Sequence, residues 1–280
     1  RAAARASAMK VDLSFEIDAE AVIAIAEAAG DVILEVYNSP TEDWAKQTKG
    51  DGSPLTIADQ RANELICERL AQLAPHVPIV SEENKAVAYE TRKGYQYSWC
   101  VDPLDGTKEF IKRNGQFTVN IALLRGERPV LGVVHTPCQE NTHWAEKGRG
   151  AFKRASKGGE DTKLECATFS EADEGLAVVA SASHSNEATE SFIAAFKSPT
   201  LTSMGSSLKL MLVAEGKAHV YPRLAPTCEW DTCASQIVVE EAGGCVLQAV
   251  EGRPPVVYNK ENPLNPYFLV YGKCTEYLKR

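Results

Sequence analysis

The 280-residue sequence predicts a mixed α/β protein built in two unlike halves. Three observations carry that prediction. Two stretches with apolar residues at helical spacing come first, four apolar runs separated by turns follow, and from about residue 175 strand and helix patterns alternate. Helices followed by a meander belong to an α+β arrangement, and alternation belongs to an α/β arrangement. With 44% apolar and 24% charged residues, composition is that of an ordinary globular chain, long enough for one large core or two closely joined lobes.

Residues 1–15 read as a tail, Ala-rich and basic, with Arg1, Arg5, Ser7 and Lys10 before the first acid at Asp12. That composition suits either a solvated tail or the remnant of a transit peptide, which would send the protein to a chloroplast or mitochondrion rather than leave it in the cytoplasm. Asp18 is placed to cap a helix running to about Asn38, with Val22, Ile23, Ala26, Ile33 and Val36 on one face. The loop QTKGDGSPLT leads into Thr56–Asp59, which has the form of a capping box opening a second helix with Leu65, Ile66, Leu70 and Leu73 aligned. VPIV and YSWCV read as short buried strands that end on acids, at SEE and DPLDGT. FTVNIALL, PVLGVVH, NTHWAE and GAFK read as an antiparallel meander with no residue assigned to chemistry. Lys153 to Glu174 turns polar and loop-like, so the lobe boundary is set there: an N-terminal α+β lobe over 16–155 and a C-terminal α/β lobe over 156–280. In the second lobe LAVVAS, AHVYPR and CVLQAV read as strands; NEATESFIAAF, SSLKLMLVAEG and DTCASQIVVEEAGG read as helices. No internal repeat or low-complexity tract interrupts them.

Several function classes fall away on composition. No apolar run approaches the roughly 20 residues of a membrane helix, which predicts a soluble protein with no membrane partner. A net charge of -8 disfavours nucleic acid, because affinity for a polyanion comes from Lys and Arg neutralising phosphates. Eight cysteines without a CxxC pair suit reduced thiols in an intracellular compartment. The five histidines form no HExxH or paired pattern, and neither GxxxxGK[ST] nor GxSxG occurs.

Carboxylates remain. Glu82 and Glu83 follow the first strand, Asp102 and Asp105 follow the second, and Asp231 stands at a helix start. If the strands are neighbours, these acids meet at one sheet end, where like charges raise each other's pKa unless a cation neutralises them. Oxygen-only ligands select hard ions, Mg²⁺ first. Two such ions roughly 3.5–4 Å apart form the clamp that hydrolyses phosphate esters. Each motif alone has a plainer reading: DPLDG is good turn chemistry, SEE a charged surface, Asp59 a first-turn helix acid, Lys209 a helix-surface lysine and Arg223 a strand-end charge.

Taken together, Asp59, SEE, DPLDGT and WDT resemble the signature of the inositol monophosphatase superfamily of Mg²⁺-dependent, lithium-sensitive phosphatases. DPLDGTKEFIKRNGQFTVNIALL, GSSLKLMLVAEGKAHVYPR and WDT look more like its 3′(2′),5′-bisphosphate nucleotidase branch than its inositol enzymes, over about Ile17 to Tyr271. The resemblance implies a layered α-β-α-β-α sandwich and two or more Mg²⁺ per site. It makes Glu82, Asp102 and the Leu104 carbonyl ligands of a first metal, with Asp102, Asp105 and Asp231 holding a second. Asp59 and Thr107 match the pair that orients the attacking water, with Glu82 nearby, and Gly106 and Thr107 would offer backbone N–H groups to the phosphate. Ser206, Lys209 and Arg223 would hold the 5′-phosphate, with His184 near the nucleoside.

The implied reaction removes the 3′-phosphate of adenosine 3′,5′-bisphosphate to give AMP, with phosphoadenosine phosphosulfate a further candidate substrate. That places the activity in sulfur and nucleotide metabolism, on a small-molecule nucleotide bisphosphate, by a monomer. An inositol phosphate phosphatase and an inactive phosphonucleotide sensor are the alternatives. Two departures stand out: Cys233, Ala234 and Ser235 follow WDT where the family has small residues including Gly, and Ala182 stands where near relatives often carry Arg. Cys100, Cys228 and Cys233 bracket the acids, as apolar fillers or as thiols whose oxidation would distort the site.

Overall fold

The computed structural model describes residues 17–50, 54–181 and 186–278. The 1–15 tail, Ala182 and His184 lie outside the described residues. In the first part, α1 (Ala19–Tyr37) is capped by Asp18, whose side chain accepts from the Glu20 N–H, as its sequence predicts. A short hairpin, β1 (Gln47–Thr48) with β2 (Pro54–Leu55), precedes α2 (Ile57–Leu73). Then come β3 (Ile79–Ser81), a one-turn helix α3 (Tyr89–Arg92), β4 (Tyr97–Asp105) and α4 (Thr107–Ile111). The meander is β5 (Thr118–Arg125), β6 (Arg128–Thr136), β7 (Asn141–Glu146) and β8 (Gly150–Arg154). It continues into β9 (Asp161–Lys163), so the sheet runs on through a stretch that reads as loop.

The rest of the chain forms β10 (Thr168–Phe169), β11 (Ala177–Ser181), α5 (Glu187–Ala194), β12 (Thr200–Met204), α6 (Leu208–Ala214) and β13 (Val220–Arg223). A 3₁₀ turn, Glu229–Asp231, leads into α7 (Cys233–Glu241), followed by β14 (Cys245–Gln248), β15 (Phe268–Tyr271) and β16 (Lys273–Cys274).

Among the described residues a seven-stranded sheet has the order β3-β4-β5-β6-β7-β8-β9, and a five-stranded sheet the order β12-β11-β13-β15-β14. The first is antiparallel except for the parallel β3–β4 pair; the second is parallel at β12-β11-β13 and antiparallel beyond. Period-two alternation assigns each face. Trp99, Val101, Ile121 and Val133 pack with α1 and α2, whereas Cys100, Ala122 and Val134 point the other way and pack with α6 and α7. Because both faces are covered, the central strands are apolar throughout, which is why they read as continuous runs. The five-stranded sheet closes the other side of α6 and α7, and its outer face packs against Ile193 and Phe196 at the end of α5. The result is the α-β-α-β-α layering that the resemblance implies.

The middle layer approaches β6 where β6 has no side chain. A Cβ on Gly132 would lie 2.3 Å from the Ala234 carbonyl oxygen and 2.6 Å from Ile237 Cγ2, both on α7. Gly132→Ala should therefore push α7 off the sheet and cost about 1–3 kcal/mol or more, read as a lowered urea midpoint. An unchanged midpoint would mean that the α7 contact does not constrain this position.

Candidate active site

The acids converge because of how β3 and β4 end. The two strands pair in parallel, Ser81 opposite Val101, so SEE and DPLDGT leave the same sheet end. DPLD is not a turn after the strand, as the sequence suggests, but part of β4: Asp102 faces Asn120 and Asp105 faces Thr118 on β5, with one more residue on β4 than on β5 between them. Pro103, which has no N–H to give a ladder, falls in that bulge. Gly106 then takes φ +99°, and Thr107 opens α4.

A cavity of about 250 Å³ lies at this end, lined by Glu82, Asp102, Leu104, Asp105, Gly106 and Thr107 from the first half. Ser206, Lys209, Arg223 and Asp231 line it from the second. Asp59 stands behind Thr107, buried in the first turn of α2. Its Oδ2 accepts from the Thr56 N–H and hydroxyl, both at 2.7 Å, completing the capping box, while its Oδ1 accepts from the Thr107 hydroxyl at 3.1 Å. Burial raises the Asp59 pKa, and the bonds from Thr56 and Thr107 offset part of the rise. Every candidate metal-binding, catalytic and substrate-binding residue that lies among the described residues thus falls in or against one cleft.

Electrostatic strain is concentrated on three acids. Asp102 is 1% exposed, and burial pushes its carboxyl well above the usual range, with Glu82, Asp105, Asp231 and Asp59 adding to the effect. Asp231 is pushed up to about 8, first by burial and then by Asp105, although its Oδ2 accepts from the Cys228 N–H at 2.9 Å. Burial also raises Glu82, partly offset by Lys49. Glu82 and Asp102 stand close enough that the charge of Glu82 raises the Asp102 pKa further.

Lys49 has no local signal in the sequence beyond its loop. The β1–β2 hairpin carries it over the site, where its Nζ lies 2.6 Å from Glu82 Oε1 and 2.5 Å from Glu83 Oε1. Burial disfavours its charge, but the two glutamates outweigh burial and hold its pKa up. The meander also contributes: Thr118 bonds Ser206 and Ser207 at 2.7 and 2.8 Å, and Asn120 accepts from Ser207 at 3.0 Å.

At the other end of the cleft lie two buried cations. Lys209 is 7% exposed, donates to the Ser206 carbonyl at 2.5 Å and lies 5.5 Å from the Tyr221 ring centroid; burial lowers its pKa to about 8. Arg223 is 8% exposed; one Nη donates to the Pro226 carbonyl at 2.9 Å, while its buried Nε has no protein partner. A buried donor without a partner is costly unless a ligand supplies the acceptor. Ser206 joins the two ends. At φ +54° its hydroxyl donates to Asp105 Oδ2 at 2.7 Å, and the next N–H, that of Ser207, reaches the same oxygen at 2.6 Å. Cys100 and Cys233 are buried within the core between the sheets, and Cys228 is half-buried.

Glu82, Asp102, Asp105, Asp231 and the Leu104 carbonyl form an oxygen-only donor set, the chemistry that suits Mg²⁺. Among the described residues no three His, Cys, Asp or Glu side chains already form a chelating group. The Lys49 ammonium stands where positive charge is needed. The set fits a divalent cation, whose binding requires its carboxyl ligands to be ionised.

The model of the inositol monophosphatase family matches residues 16–269. The chain is 41% identical to the 3′(2′),5′-bisphosphate nucleotidase CysQ of Salmonella typhimurium over 257 residues, covering 90% of this chain and 98% of that protein. It is also 41% identical to the protein of the same name from Escherichia coli, over 89% of this chain and 97% of that one. The crystal structure of CysQ from Bacteroides thetaiotaomicron, described as a bacterial member of the inositol monophosphatase family, superposes with a TM-score of 0.80 at 43% identity, covering 91% of this chain and 97% of that one. With its layered fold, its four motifs at one cleft and a family match over most of its length, the chain belongs to the inositol monophosphatase family.

Proposed function

We infer that the protein is a Mg²⁺-dependent 3′(2′),5′-bisphosphate nucleotidase that converts adenosine 3′,5′-bisphosphate to AMP and phosphate. The observation that carries this reading is a single cleft with an acid cluster at one end and buried Lys209 and Arg223 at the other. A ligand with two phosphates answers both ends: one at the acids with their cation, the other at the two basic side chains. The names of the Salmonella and Escherichia coli relatives support the same substrate class.

In this reading the N-terminal lobe, residues 16–155, brings most of the metal-binding acids, and the C-terminal lobe, 156–280, brings Asp231 and the nucleotide contacts. Glu82, Asp102 and the Leu104 carbonyl would hold one Mg²⁺, and Asp102, Asp105 and Asp231 a second. When bound, such ions acidify water and stabilise negative charge on the phosphoryl and leaving oxygens. The Thr107 hydroxyl, fixed on Asp59 at 3.1 Å, orients the attacking water, and Asp59, with a raised pKa, takes up its proton. Gly106 and Thr107 would offer backbone N–H groups to the phosphate. Lys209 and the unpartnered Nε of Arg223 hold the 5′-phosphate. Ser206 has its hydroxyl committed to Asp105 and Thr118, so its role is to couple the two ends rather than to act as a free phosphate donor. His184 is assigned to the nucleoside on the family pattern alone.

The test is phosphate release with Mg²⁺ from adenosine 3′,5′-bisphosphate and from inositol 1-phosphate, each with and without Li⁺. Preference for the nucleotide, with inhibition by Li⁺, is expected. Preference for the inositol ester would replace the substrate class, and tight nucleotide binding without turnover of either would mark a sensor. Asp105→Asn should lower turnover by about 10²-fold or more while leaving the fold intact by circular dichroism. Retained activity in that variant would contradict a role for Asp105 in holding the cation.

A further inference from the structure

Behind the cleft, outside its lining, a second set of bonds connects the segment after Glu82 to the turn that carries Asp231. Arg92, at the end of α3, is 8% exposed and grips two distant parts of the chain. Its Nε donates to the Val87 carbonyl at 3.3 Å, in the stretch that follows SEE. Its two Nη groups donate to Asn259 Oδ1 and to the Glu261 carbonyl, both at 3.0 Å. Asn259 reciprocates, donating its Nδ2 to the Arg92 carbonyl at 2.8 Å. The backbone N–H of Asn259 donates to Glu229 Oε2 and that of Lys260 to Glu229 Oε1, both at 2.9 Å, and the Lys260 ammonium pairs with the same carboxylate. Glu229, 5% exposed, opens the 3₁₀ turn whose third residue is Asp231, and its carbonyl accepts from the Thr232 N–H at 3.3 Å.

We propose that Arg92, acting through Asn259 and Glu229, is the positioning residue that fixes the Asp231 turn relative to the Glu82 segment, and so sets the affinity of the acid cluster for its divalent cation. The proposal rests on those acids being the cation's ligands. Its physical basis is rigidity. A planar guanidinium presents its donors in a fixed fork, so three acceptors from two segments are held at one geometry, which a lysine ammonium on a flexible stem cannot reproduce. The relay is buried, so its bonds are not freely exchanged with water, and a partner lost from it leaves polar groups unsatisfied. Partners one step removed from metal ligands commonly change metal affinity or activity by about 10–100-fold. Asn259 holds φ +56°, a conformation that glycine also adopts, so its amide can be removed without straining the backbone.

Mg²⁺ binding by titration calorimetry on the full chain tests this in Arg92→Lys and Asn259→Gly, with the metal-free thermal midpoint measured alongside. Arg128→Lys is the comparison, because Arg128 also ties distant segments but joins the Val256 carbonyl at 3.0 Å and Glu240 at 2.8 Å. Both relay variants should raise the Kd for Mg²⁺ about ten-fold or more, with Arg128→Lys unchanged at a comparable loss of thermal midpoint. An unaltered Kd in a folded Arg92→Lys or Asn259→Gly protein would overturn the proposal, as would an equal rise in Arg128→Lys, since the effect would then be general loosening. If the parent protein binds no Mg²⁺, the ligand reading fails and the proposal with it; if the parent binds and the relay variants bind equally well, only the proposal fails.

Discussion

The rest of the structure depends on one constraint: several carboxylates crowd together at the end of β3 and β4, Asp102 and Asp59 buried and Glu82, Asp105 and Asp231 only partly exposed. Asp102 is almost fully enclosed, and Glu82, Asp105, Asp231 and Asp59 all raise its pKa further. Such a cluster is unfavourable as a set of bare charges. Two features relieve it in the protein alone, the protonation that the raised carboxyl pKa values favour and the ammonium of Lys49 brought in by the β1–β2 hairpin. Both are replaceable by a cation.

The layers hold the acids close without letting them relax apart. The bulge in β4 is pinned to β5 on both sides, by Asp102 opposite Asn120 and Asp105 opposite Thr118. The same two β5 residues bond Ser206 and Ser207, and these donate to Asp105. Asp105 is therefore fixed by the second half of the chain as much as by its own strand. Asp231 stands at the end of the middle layer, where α7 meets β6 across Gly132. Lys209 is anchored on the carbonyl of Ser206, whose own hydroxyl, with the N–H of Ser207, donates to Asp105. The basic side chains and the acids are therefore mechanically one unit.

Much of this was legible in the chain. Caps at Asp18 and Thr56 depend on residues within four positions, and the helices they start are amphipathic, so both were readable locally. The meander strands are near-continuous buried runs flanked by turns, and the four acid motifs are short and specific. What escaped has non-local causes. DPLD has the composition of a turn, yet pairing with β5 keeps it in the strand. Lys49 is one lysine in a polar loop until a hairpin folds it onto Glu82 and Glu83. The hydroxyl of Ser206 looked free for a phosphate because its partners, Asp105 and Thr118, lie about ninety to a hundred residues away. β9 consists of three exposed residues and has no apolar pattern to betray it.

The most direct test is the pH dependence of Mg²⁺ affinity between pH 6 and pH 9. Asp231, raised to about 8, carries its proton at pH 6 in the absence of a cation, and burial with the neighbouring acids favours the protonated form of Asp102 too. Both would have to lose the proton to bind one. Affinity should therefore strengthen by about ten-fold per pH unit for each proton released, and flatten as the pH passes the raised pKa values. A Kd that is constant from pH 6 to pH 8 would contradict the claim that burial and mutual repulsion hold these acids protonated until a cation arrives.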